Sequence, residues 1–315
     1  MSNHNIRSFA SLGLCSCLGL SLLNKKIRRE ATKHNYLHPE KGHFFDWKYG
    51  KIFYQVSGSG KKKLILAHDT TPYCSGTDWN RLISLLKDKY TIYTLDLLGC
   101  GRSDKPAVTY TNYLYVQMLS DFIKEVVKAP AEIWASGFSA SYAVTAAAAD
   151  PASVRSLTLV EPCSLNQFSS VPDNKSFFTR MLLSTPVIGE CIYHMINRYK
   201  SISARFEEKL FFNPSHLKKR TVDTAYEAVN AGTGSGRFLM ASREGRILHF
   251  NINHALASLK QPLRIVMGSR TENAQSLIKQ YLKYNKKAEI LYVSDAGSMP
   301  HLENPRVFVS VLLSK

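Results

Sequence analysis

The sequence predicts an α/β fold: a mostly parallel sheet with helices on both faces and a helical cap inserted after the sixth strand. Three observations carry that prediction. Strand and helix signals alternate from residue 44 onward, with no internal repeat. In the middle of the chain a short apolar strand runs into a small-residue turn and then an alanine-rich helix. Between residues 163 and 257 the pattern is helical and irregular, after which strand signals resume.

The N-terminus comes first. Residues 9–23 read FASLGLCSCLGLSLL, an uncharged run preceded by Arg7 and followed by Lys25, Lys26, Arg28 and Arg29. The run is shorter than the about 17–20 apolar residues that a membrane span requires. It also lacks a small-residue cleavage site. A membrane anchor and a peripheral tail both remain open. With the basic cluster on the C-terminal side of an anchor, the globular part would stay in the cytoplasm. The same cluster suits an anionic membrane surface.

Residues 44–49 and 51–57 read as a hairpin with Gly50 at the turn. Residues 63–68 form a short apolar run of the kind found in buried parallel strands. Residues 78–86 are helical, and 90–96 read as a strand. Residues 112–127 carry apolar side chains at helical spacing. A strand at 132–136, a helix at 139–150 and a strand at 154–160 follow. Pro172, Pro186 and Pro214 break up the helical region. Strands return at 263–267 and 289–293, and a final helix begins at about His301. The chain thus divides into an N-terminal segment (1–30), a core (40–162), a cap (163–257) and the rest of the core (258–315). Such a cap shapes a pocket over the carboxyl ends of the strands, where these sheets bind a small-molecule substrate or ligand.

Composition sets the limits. The 315 residues are 44% hydrophobic, enough to bury one large core. The formal charge of +17 favours solubility or an anionic surface. Nucleic acid is not the expected partner, since no helix-turn-helix, zinc-finger or RNA-binding pattern is present. Cys15, Cys17, Cys74, Cys100, Cys163 and Cys191 follow neither a zinc spacing nor a disulfide framework, so free thiols are expected. No metal or nucleotide motif occurs, and no cofactor is expected.

The chemistry-bearing motif is Gly137-Phe138-Ser139-Ala140-Ser141. A serine hydroxyl becomes a nucleophile only when it is positioned and relieved of its proton. A sharp strand–turn–helix elbow does the positioning, and small flanking residues let strand and helix pack closely. Further segments in the right order are Asp96-Leu97-Leu98-Gly99-Cys100-Gly101-Arg102-Ser103, the strand from Pro262 to Gly268 and the loop from Gly297 to Pro305. On these, the chain from about Lys63 to Lys315 resembles the α/β-hydrolase fold-1 family of esterases, lipases and carbon–carbon hydrolases.

The resemblance implies roles. Ser139 is the expected nucleophile, with backbone N–H groups of Thr70 and Ala140 as oxyanion donors. The acid falls to Glu161, at the end of the sixth strand, or to Glu272 beside Thr271. Two positions depart from the family. Its His-Gly pair reads His68-Asp69 here, which puts a carboxylate where negative charge should develop. Its catalytic histidine reads Ser298, leaving His301 as the nearest alternative base. His68, His194, His216, His249 and His254 offer less. Three functions follow as alternatives. One is a serine hydrolase of a small ester, amide or carbon–carbon substrate. Another is a catalytically impaired member that binds a ligand or partner beneath the cap. The third is a scaffold held at a membrane.

Overall fold

The computed structural model describes the backbone of residues 3–313 and the side chains of residues 18–313. Eight strands form one sheet: β1 (His43–Trp47), β2 (Gly50–Ser57), β3 (Lys62–Ala67), β4 (Tyr90–Leu95), β5 (Ala131–Ser136), β6 (Val154–Val160), β7 (Leu263–Gly268) and β8 (Glu289–Val293). Their order is β1-β2-β4-β3-β5-β6-β7-β8. β2 runs antiparallel to β1 and β4, and every other neighbouring pair is parallel.

The parallel strands are apolar at successive positions because both faces are covered. Ile65, Leu95, Ile133, Leu157 and Ile265 point into one core. Leu64, Leu66, Ile92, Trp134, Val160 and Val266 point into the other. The hairpin differs from expectation in one detail. Trp47 pairs with Gly50, so Lys48 and Tyr49 make the turn and Gly50 opens β2.

Between β6 and β7 the chain is helical. Its longer helices are Asn174–Ser184, Ile188–Ile196, Lys219–Asn230 and Arg237–Glu244. A separate apolar cluster holds them together, including Leu183, Tyr193, Phe206, Val222 and Val229. The N-terminal segment is a single helix, Asn3–Thr32, lying against helices Ile188–Ile196 and Lys219–Asn230. Asn24 and Ala31 are buried there. Beyond the helix, the Glu227 carboxylate accepts the N–H groups of Tyr36 and Leu37. Among the described residues no helix is long and apolar enough to cross a membrane. Most of the expected anchor, residues 9–17, lies outside the described side chains. Part of the basic cluster is also used within the protein: Arg28 lies 4.0 Å from Glu190 and donates to the Gly232 carbonyl.

Candidate functional site

Five segments meet over the carboxyl ends of the central strands: the loops after β3, β5, β6 and β8, and the cap helix Arg237–Glu244. Between the loops lies a cavity of about 340 Å³, lined among others by Asp69, Gly137, Glu161, Cys163, Ser298 and His301.

The turn after β5 decides what this cavity contains. In a nucleophile elbow the reactive side chain sits at the strained turn residue, and the following N–H points at the developing oxyanion. Here the residue with left-handed backbone at that turn is Gly137, at φ +58°. Phe138 is already helical at φ −65° and ψ −29°. The apex therefore carries no side chain. Ser139, expected there, lies two residues further on, in the first turn of helix Ser139–Ala149, and is fully buried. Its hydroxyl is within hydrogen-bonding distance of the Ser136 carbonyl (2.7 Å) and the Ala67 carbonyl (3.1 Å), pointing back into the sheet.

Asp69 fills the space above the apex. Its Oδ1 accepts the Phe138 N–H at 2.9 Å. A Cβ placed on Gly137 would come within 2.5 Å of the Asp69 Cγ. The carboxylate thus holds the N–H that follows the apex, the position an oxyanion would claim. Arg243, from the cap, pairs with it at 3.1 Å and 3.2 Å from Nη1. Its guanidinium also lies 4.5 Å from the Phe138 ring centre. Burial opposes the guanidinium charge, but Asp69 together with the acidic side chains of Cys163, Tyr73 and Tyr142 outweighs it and raises the Arg243 pKa.

The expected oxyanion donors are placed differently too. The Ala140 N–H bonds within the turn to the Gly137 carbonyl at 3.3 Å. Thr70 is fully buried, with its hydroxyl 3.0 Å from the Tyr142 hydroxyl. His68 is buried as well; its Nε2 accepts the Leu97 N–H, so Nδ1 donates to the Asp69 carbonyl.

Glu161 does reach the cavity. Its backbone is left-handed at φ +46°, an uncommon conformation that costs on the order of 1–3 kcal/mol for a non-glycine residue. Oε1 accepts from the Gly268 N–H and the Thr271 hydroxyl, both at 2.6 Å. Burial outweighs those bonds and pushes the carboxyl up to about 7. Glu272 is exposed on the loop after β7, away from the cavity. Ser298 lines the cavity. His301 lines the cavity wall but is almost fully buried and stacks on Trp79 at 4.4 Å. Neither of its ring nitrogens has a hydrogen-bond partner. Burial drives its pKa down to about 3. The structure therefore gathers Glu161, Ser298 and His301 around the apex, but it joins none of them to Ser139 by a hydrogen bond.

Sequence reasoning missed Gly137, the Phe138 N–H and Arg243. A signal existed for the first: Ala135-Ser136-Gly137-Phe138-Ser139 also has small residues two positions either side of its centre, and glycine is the residue most tolerant of a left-handed apex. Arg243 had no such signal, since it lies 174 residues from Asp69 in an irregular helical region.

A mostly parallel sheet whose central strand turns sharply into a helix beneath a helical cap defines the α/β-hydrolase class of proteins. This chain belongs to the alpha/beta hydrolase family, whose pattern matches residues 64–311. No curated protein matches the sequence. Among solved structures, a membrane phospholipase A described as a bacterial virulence factor is similar at 17% identity and TM-score 0.66, covering 98% of this chain and 97% of that one. A carboxylesterase from Bacillus subtilis is similar at 15% identity and TM-score 0.66, covering 94% and 99%. A serine hydrolase of carbazole degradation is similar at 16% identity and TM-score 0.69, covering 87% and 97%. At these identities the likeness is one of fold.

Proposed function

We propose that this α/β-hydrolase-fold protein binds a small ligand at the strand ends and does not use Ser139 as a nucleophile. One observation carries the reading: the elbow's apex is Gly137, while the Ser139 hydroxyl is buried against the Ser136 and Ala67 carbonyls. A hydroxyl in that position has no path to a carbonyl carbon in the cavity, and no imidazole is bonded to it. General-base assistance worth roughly 10²–10⁴-fold has no evident source. The Asp69 carboxylate adds a second obstacle, because it opposes negative charge at the Phe138 N–H.

The space left is suited to recognition. A carboxyl at Glu161 that titrates near neutrality, the Asp69 carboxylate and an apolar wall converge there, as in a binding pocket with a few placed polar groups. Hydrolysis of a small ester, amide or carbon–carbon substrate is the second reading, favoured by the hydrolases among the structural neighbours. It requires Ser139 to leave both carbonyls and Asp69 to leave the Phe138 N–H.

A fluorophosphonate probe separates the two. The wild type and Ser139→Ala are expected to label equally weakly, and neither to release p-nitrophenol from p-nitrophenyl esters above background. Labelling or turnover that disappears in Ser139→Ala overturns the proposal.

A further inference from the structure

We propose that the groove between cap helices Asn174–Ser184 and Ile188–Ile196 holds a single-chain amphiphile with a carboxylate head, which takes Arg243 from Asp69. This rests on reading the region as a binding site, and it names the ligand class. The groove has a volume of about 520 Å³ and is separate from the strand-end cavity, with Tyr73 lining both. Phe178, Leu182, Ile192, Ile196 and Met240 form its apolar wall. Its polar groups include two guanidiniums, those of Arg243 and Arg205. The Arg205 guanidinium lies 5.3 Å from the centre of the Tyr73 ring. Glu244 is the only carboxylate among the lining residues, and it is exposed. An apolar wall with a net positive end selects an apolar tail and an anionic head.

The head chemistry is set by what already sits on Arg243. Asp69 shows that a carboxylate fits against Nη1, at 3.1 Å and 3.2 Å. An incoming carboxylate can replace it without stranding it, because Asp69 keeps the Phe138 N–H at 2.9 Å. Exchange therefore conserves the charge pairing of a partly buried guanidinium, whereas a neutral or cationic head could not replace Asp69 without leaving the guanidinium unpaired. The entrance supports the tail. Phe178 is 58% exposed and Ile196 37%, and Phe177, Met181 and Met195 are exposed beside them on the same two helices. Large apolar side chains gathered at the mouth of an apolar groove mark a binding surface rather than chance exposure.

Calorimetric titration of the full chain with dodecanoate, below its critical micelle concentration, tests this against dodecanol and dodecyltrimethylammonium. Saturable 1:1 binding of dodecanoate is expected, at least about tenfold tighter than either competitor, as befits hydrogen bonds to a charged group. Asp69→Asn should tighten it several-fold, since the amide still accepts from Phe138 but no longer competes as a charge. Arg243→Gln should weaken it by about tenfold or more. Ile196→Asp, at the exposed mouth, should also weaken it and keeps the test available if Arg243→Gln fails to fold. No saturable binding, equal affinity for dodecanol, or weaker binding by Asp69→Asn overturns the proposal. Dodecanoate binding together with Ser139-dependent labelling would fell only the earlier reading. Absence of both would fell only this one.

Discussion

His301 packs between Trp79 and Phe308, with ring centres 4.4 Å and 6.1 Å away. Its two unpartnered nitrogens make it a polar residue in an apolar place. The folded ring stays neutral down to about pH 3, whereas the unfolded ring titrates near 6.5. Between those values the unfolded chain takes up the proton, so this residue's contribution is full above pH 6.5 and is lost as the pH falls toward 3. At pH 5 the loss amounts to about 2 kcal/mol. His301→Phe keeps the stacking and removes the titration. It should therefore match or exceed the wild type at pH 7.5 and gain on it steadily toward pH 4 in thermal melts. Glu161 acts with the opposite sign, because a carboxyl raised to about 7 loses its contribution as the pH rises through that value. The comparison is accordingly between variant and wild type at each pH, not between pH values. A stability difference that does not change with pH would refute this account of His301.

The elbow shows how much of an element is legible in sequence. A strand, a small-residue turn and a helix are readable from residues 132–150, because the consecutive apolar residues Ile133-Trp134-Ala135, Gly137 and the alanine run all agree. The register was not. Gly137-Phe138-Ser139-Ala140-Ser141 and Ala135-Ser136-Gly137-Phe138-Ser139 overlap, and both satisfy the requirement for small flanks. What separates them is the left-handed backbone at Gly137, φ +58°, together with the Asp69 carboxylate that fills the volume above it. Asp69 was legible as an anomaly, but its partners Phe138 and Arg243 come from other elements, and only the packed fold brings them together. The pairing is testable. Gly137→Ala should destabilise by roughly 1–3 kcal/mol, from left-handed strain and the 2.5 Å approach to Asp69. In the background Asp69→Gly the steric part should vanish, leaving about 1 kcal/mol of backbone strain. A double-mutant cycle in urea reads the difference, and strict additivity would mean that the two residues do not contest the same space.

At the scale of the whole molecule, the architecture was legible because a parallel sheet buried on both faces writes continuous apolar strands between amphipathic helices. The N-terminal helix was not. Its apolar run and basic flank suggested a membrane, yet its described part rests on the cap, with Asn24 and Ala31 buried and Arg28 near Glu190. Such a helix adds cations to a body already rich in them. The chain carries 41 lysines and arginines against 24 acidic residues. Several of the acids serve interior roles: Asp96 is enclosed by Arg102 at 2.6 Å, and Asp69 is held by Arg243. Each of these pairs withdraws one cation together with one acid, so the formal excess of +17 stays with the rest of the chain, and self-repulsion works against the compact state. Screening relieves it, since the Debye length falls from about 10 Å at 0.1 M salt to about 3 Å at 1 M. The melting temperature should accordingly rise by several degrees between 0.05 M and 0.5 M, equally in sodium and potassium chloride, with ΔΔG of about 1 kcal/mol corresponding to about 2 °C for a chain of this size. Lys25→Glu with Lys26→Glu should flatten the rise, because both side chains are exposed in the densest cationic stretch of the helix. A melting temperature that falls with salt would instead mean that surface ion pairs outweigh the repulsion, and the excess charge would have to be balanced by contacts beyond those described.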